Sequence, residues 1–173
     1  MLEPAQPHLA QGEQHLDAGE WHEAEAAFRR AIVADADSAA AYSKLGVALI
    51  HQRRRDEAEA AFALAIDRNP RYAPAWSNLG NVYRETGRTE QALEAYQRAI
   101  AADPDYWVAH QNLGGLYKQM GRTSEAIATL RRATRLSAKN AFRRPSAAGE
   151  RRPGCLGGAA ALLLLLLAAA FVV

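Results

Sequence analysis

One cysteine, Cys155, stands in 173 residues. It excludes an internal disulfide, and no paired-cysteine spacing offers a thiolate metal site. There is no glycine-rich phosphate loop, no Ser/His/Asp arrangement in a plausible context and no pair of carboxylates in an apolar setting. No catalytic residue, metal ligand or cofactor site is therefore expected, and the chain reads as a non-enzyme without a small-molecule substrate. His8, His15 and His22 are spaced by seven, but two of them fall on inward helix positions of the pattern described next. Aromatic residues make up only 8%. None interleaves with Arg53-Arg54-Arg55 or Arg131-Arg132, so these basic clusters read as solvated turns and helix faces, and no nucleic-acid partner is expected. The opening Met1-Leu2-Glu3-Pro4 has neither a basic lead nor an apolar run, so no secretory signal is expected.

What the chain does have is a strict 34-residue period. The position of Trp76 is held by His8, Tyr42 and His110 in the other copies. Leu79-Gly80 recurs as Leu45-Gly46 and Leu113-Gly114, and as Gln11-Gly12 in the first copy. Ala92 matches Ala24, Ala58 and Ala126; Tyr96 matches Phe28, Phe62 and Leu130; Ala99 matches Ala31, Ala65 and Ala133. The copies are 5–38, 39–72, 73–106 and 107–140, after a lead of residues 1–4. A fixed period of this length is the mark of stacked helical repeats.

In the third copy Trp76, Leu79, Val82 and Tyr83 share one helix face. Gly87 follows, where a left-handed residue ends a helix. Thr89 is placed to cap the next helix, which carries Ala92, Leu93, Tyr96, Ala99 and Ile100 inward. Asp103-Pro104 then ends it, because a residue before proline avoids the helical region. Gly80 and Ala92 are small where two helix backbones come close. Gly19, Gly87 and Gly121 mark one turn in three copies, and the second copy has Arg53-Arg54-Arg55 there, a less ideal turn. Each helix pair is too small to bury its own apolar face, so stacking supplies the core. The last copy ends on Ile127, Leu130 and Leu136 without a polar capping helix, and its end is expected to be covered by a short irregular helix, a partner or a membrane.

These residues resemble the tetratricopeptide repeat (TPR) family over 136 of 173 positions. The resemblance implies an all-α fold, a right-handed TPR α-solenoid of four helix pairs. It also implies that the first helix of each repeat lines a concave face on which extended peptides lie. Carried over by position, that groove holds Ser43, Ser77 and Gln111 in one row. Lys44, Asn78 and Asn112 form a second, and Arg84 and Lys118 a third, with Asn81 nearby. An asparagine row suits a peptide backbone, and the two cations favour an acidic partner. The chain is also similar to chaperone cofactors that grip a terminal carboxylate, but serines stand at the clamp lysine positions and Val47 replaces the expected Asn. No such clamp is expected. It further resembles the repeats that precede the catalytic domain of O-GlcNAc-transferase-type enzymes, so a truncated regulatory arm of a larger enzyme or transmembrane protein is the alternative reading.

Charge is uneven. Residues 1–38 carry two basic and eight acidic side chains, and residues 107–140 carry six basic and one acidic. From Leu156 to Val173 every residue is apolar or glycine, with six leucines at 162–167. At about 1.5 Å per residue this run spans roughly 27 Å, enough for a bilayer core. The preceding Arg143, Arg144, Arg151 and Arg152 predict the repeats on the cytoplasmic side. The sequence thus predicts a basic linker at 141–154 and a C-terminal transmembrane helix at 155–173. The expected function is a single-pass, tail-anchored scaffold that holds a partner protein or peptide in its groove.

Overall fold

The structure, a computed structural model, describes residues 5–143. The lead at 1–4, most of the linker and the expected transmembrane segment at 155–173 lie outside the described residues. Among those described, no helix is long and apolar enough to cross a membrane. Eight helices and no strand form in this span, in four pairs. They are α1 (Ala5–Ala18) with α2 (Trp21–Ala34), α3 (Ala39–His51) with α4 (Arg55–Arg68), α5 (Ala73–Glu85) with α6 (Thr89–Ala102), and α7 (Trp107–Gln119) with α8 (Thr123–Arg143). Residues up to Lys139 form one unit, and the last turn of α8 belongs to a second that begins at Asn140.

The glycine at the middle of each first helix explains how the pairs close. A Cβ on Gly46 would lie 2.5 Å from the Phe62 ring, and one on Gly80 would lie 2.6 Å from the Tyr96 ring. Gly12 meets Phe28 and Gly114 meets Leu130 in the same way. One large side chain per repeat is thus pressed onto bare backbone. Phe28, Phe62 and Tyr96 are at most 1% exposed, and each contributes about 1.5–3 kcal/mol of burial. Ala24, Ala58 and Ala92 at the crossing are fully buried.

The turns inside each repeat follow the glycine expectation, with one exception that keeps the geometry. Gly19, Gly87 and Gly121 take φ near +75°, and Arg53 takes φ +63° in their place. All four turns close with an amide bonding back five residues, as Arg54 N does to Leu49 O at 3.0 Å and Arg88 N to Tyr83 O at 2.8 Å. This is the Schellman closure, normally built on glycine. Thr89 does not cap α6. It is the first helical residue, and Arg88 precedes the helix without a side-chain cap.

Between repeats, an Asx turn recurs every 34 residues. Asp35, Asn69 and Asp103 each accept the amide two residues on, at 3.1, 3.0 and 2.9 Å. The fourth copy has Ser137-Ala138 at this point, with neither an Asx residue nor a proline. Nothing stops α8 there, and it continues past residue 140 to Arg143 as one helix.

Each second helix packs on the first helix of the next repeat. First helices also touch one another, α1 on α3, α3 on α5 and α5 on α7, whereas α2 and α4, or α4 and α6, make no such contact. The row of first helices is therefore the tight, inner side of the stack, as the groove expectation requires.

Candidate functional site

The inner row does not expose every residue placed on it by sequence. Ser43 is 3% exposed and Ser77 fully buried. They are covered because another first helix passes over each of them. Across Ser77 lies α7, whose Asn112 Nδ2 donates to Ser77 Oγ at 3.1 Å. Gln111, at the same position in the last repeat, is exposed, since among the described residues no further first helix follows. Ser43 and Ser77 are packing residues, and neither can offer its side chain to a groove ligand.

Asn81 has a different task from the one its row suggested. The buried Tyr96 hydroxyl donates to Asn81 Oδ1 at 2.7 Å. Two of the other copies carry phenylalanine at this position, so only the third repeat needs an acceptor. Burial pushes the Tyr96 phenol up to about 12. The tyrosine itself was the signal for this pairing, since a buried phenolic hydroxyl needs a partner.

Lys44 pairs with Glu13 across α1 and α3 at 3.0 Å, which balances the charge at that end of the row. Toward the other end the cations stand open. Arg84 lies against Gly115, where an added Cβ would come 3.8 Å from Arg84 Nη1. Arg84 is half-buried and Lys118 exposed, and neither forms an ion pair among the described residues.

Between α3 and α5 the same face opens into a pocket of about 140 Å³. Val47 and Ile50 form one wall, Asn78, Asn81 and Glu85 the other, and Phe62 and Val82 the floor. Asn78 makes no hydrogen bond among the described residues, so its amide is available at the rim. Val47 and Ile50 were not expected as site residues. The signal was in the columns of the repeat: Glu13, Val47, Asn81 and Gly115 share one position, and Leu16, Ile50, Arg84 and Lys118 another. The second repeat alone carries large apolar residues in both columns.

The outer side carries a larger hollow of about 490 Å³ between α2 and α4, with Ile32, Val33, Leu45 and Leu64 in its lining. Val33 is 72% exposed and Leu64 43%. No group of His, Cys, Asp or Glu among the described residues could hold a metal ion.

A stack of helix pairs with a continuous inner row and mixed apolar and cationic lining defines a helical-repeat interaction scaffold. The chain belongs to the tetratricopeptide repeat family. Tetratricopeptide repeat models match residues 9–73, 61–94 and 108–140, and a TPR repeat model matches residues 80–121. Among solved structures, MamA is 31% identical over 80% of this chain and 81% of its own, with a TM-score of 0.66. TTC0263, a thermophilic TPR protein of Thermus thermophilus, is 25% identical over 78% of this chain and 75% of its own, with a TM-score of 0.70. PilF of Pseudomonas aeruginosa, at 24% identity, shares the fold, with a TM-score of 0.71 over 78% of this chain and 61% of its own. The curated proteins gave no match.

Proposed function

We propose that this protein captures an extended segment of a partner protein along its row of first helices and holds it at a membrane through residues 155–173. The carrying observation is the open stretch of that row. A pocket rimmed by the unbonded Asn78 is followed by Arg84 and Lys118, which have no ion pair among the described residues. Asparagine amides can pair with a peptide backbone whatever its side chains, and the two cations favour acidic groups. Anchoring would raise the partner's local concentration at the surface. The apolar run from Leu156 and the arginines before it support an anchor with the repeats on the cytoplasmic side.

The two halves of this reading separate experimentally. Asn112 is held by Ser77, so the clean variant is Asn78→Ala, which is expected to weaken partner capture at unchanged helicity; undiminished capture would remove the groove. The full chain is expected to resist alkaline carbonate extraction while a 1–153 truncation is released. Release of both would remove the anchor and leave the groove untouched.

A further inference from the structure

The inner row changes character along its length, and the change specifies a ligand. At the second repeat the groove position that holds Arg84 and Lys118 in the two later repeats holds Ile50, and the position of Asn81 holds Val47. The pocket they wall is about 140 Å³, near the roughly 150 Å³ that accepts a benzene-sized group in an apolar protein cavity. It takes one aliphatic side chain. Glu85 on its rim, within 3.7 Å of Arg55, disfavours a carboxylate in the pocket itself.

On the far side of α5, toward α7, the lining is cationic. Gly115 leaves room for the Arg84 guanidinium to lie across α7, and Lys118 is exposed on that helix. Neighbouring packed helices lie about 8–10 Å apart, and an extended peptide advances about 3.3 Å per residue. The pocket and the cations are therefore separated by about three residues of an extended chain.

We infer that the groove selects peptides carrying an aliphatic side chain and a carboxylate about three positions apart. This rests on the groove reading of the preceding section and adds the identity of the two side chains. The aliphatic residue enters between α3 and α5, Asn78 holds the backbone beside it, and the carboxylate meets Arg84 and Lys118.

The test is selection of a phage-displayed random dodecapeptide library on the full chain in detergent micelles, followed by fluorescence anisotropy on labelled copies of the enriched sequences. Enriched peptides are expected to share the aliphatic–x–x–acidic spacing. Serine at the aliphatic position should weaken binding at least about tenfold, the scale of burying one aliphatic side chain. Val47→Asn, the residue of the next repeat, should abolish the aliphatic preference and leave the acidic one. Arg84→Ile with Lys118→Ile, the residue of the second repeat, should do the reverse. Each substitution uses a side chain that the same column already accepts, and circular dichroism checks the fold. Enriched peptides that depend on Asn78 but lack the spacing would overturn this inference and leave the groove standing. Failure to enrich any peptide, or enrichment indifferent to all groove variants, would overturn both.

Discussion

At the scale of single residues, each repeat seats one bulky side chain where a first-helix glycine leaves no room for a Cβ. Gly80→Ala would place a methyl carbon 2.6 Å from the Tyr96 ring. That ring is fully buried and cannot swing away. The substitution is expected to cost about 1–3 kcal/mol, read as a lower urea midpoint. Arg53 presents the opposite case. It holds φ +63°, a conformation costing a non-glycine residue about 1–2 kcal/mol. Arg53→Gly relieves that strain but adds unfolded-state freedom, so a net gain of about 0.5–1 kcal/mol is expected. An unchanged midpoint would mean that the strain only offsets the added unfolded-state freedom, and a lower midpoint that the turn carries no strain. These features were legible in the sequence because glycine and its bulky partner recur in register. The roles of Ser77 and Asn81 were not. A position in a repeat column says which way a side chain faces, but burial of Ser77 depends on α7 crossing above it. The capture of Asn81 depends on one hydroxyl group that Phe28 and Phe62 lack.

At the scale of helices, the first two junctions share an ionic latch. Arg54 Nη1 reaches Glu25 Oε2 at 2.6 Å, and Arg88 Nη2 reaches Glu59 Oε2 at 2.6 Å. Each joins the turn of one repeat to the second helix of the repeat before. Gln52 adds a bond to Glu25 at 2.8 Å. At the third junction the acidic position is Leu93, and among the described residues Arg122 forms an ion pair only with Glu125 in the first turn of α8. Burial by itself would raise the Glu25 pKa, but hydrogen bonds from Gln52 and Arg29 and the charge of Arg54 outweigh it and hold the carboxyl below its ordinary value. A carboxyl depressed on folding contributes stability above its unfolded pKa and loses it as pH falls through the folded value. The stability gap between the wild type and Glu25→Gln should therefore be constant from neutrality to about pH 5 and shrink below that. A gap that stays flat to about pH 3 would show that the latch does not titrate. The latch was not legible in the sequence because its acidic column runs Glu25, Glu59, Leu93 and Ile127, which fits no simple pattern. The helices themselves were, since the 34-residue register sets them four times over.

At the scale of the whole molecule, two of the four exposed large hydrophobic side chains among the described residues, Val33 and Leu64, line the outer hollow. The column of Leu64 otherwise contains Arg30, Arg98 and Arg132, so this surface position accepts arginine in three repeats. Leu64→Arg is expected to leave the urea midpoint within about 0.5 kcal/mol of wild type and to raise solubility. A large loss of stability would show that Leu64 belongs to the core. The number of repeats and their order follow from the amino-acid sequence alone, because each unit repeats the same chemistry. The open part of the groove does not, because it emerges from which columns change between copies.

The contact pattern of the stack also has a mechanical meaning. First helices touch one another along the inner row, while second helices stand apart on the outer side. Each second helix is still joined to the repeat that follows, by packing on its first helix and, at the first two junctions, by the ionic latch. Widening or narrowing the gap between second helices would therefore strain those outer joints as well as change the curvature. The third junction, where Leu93 takes the acidic position, lacks the latch and resists such bending least.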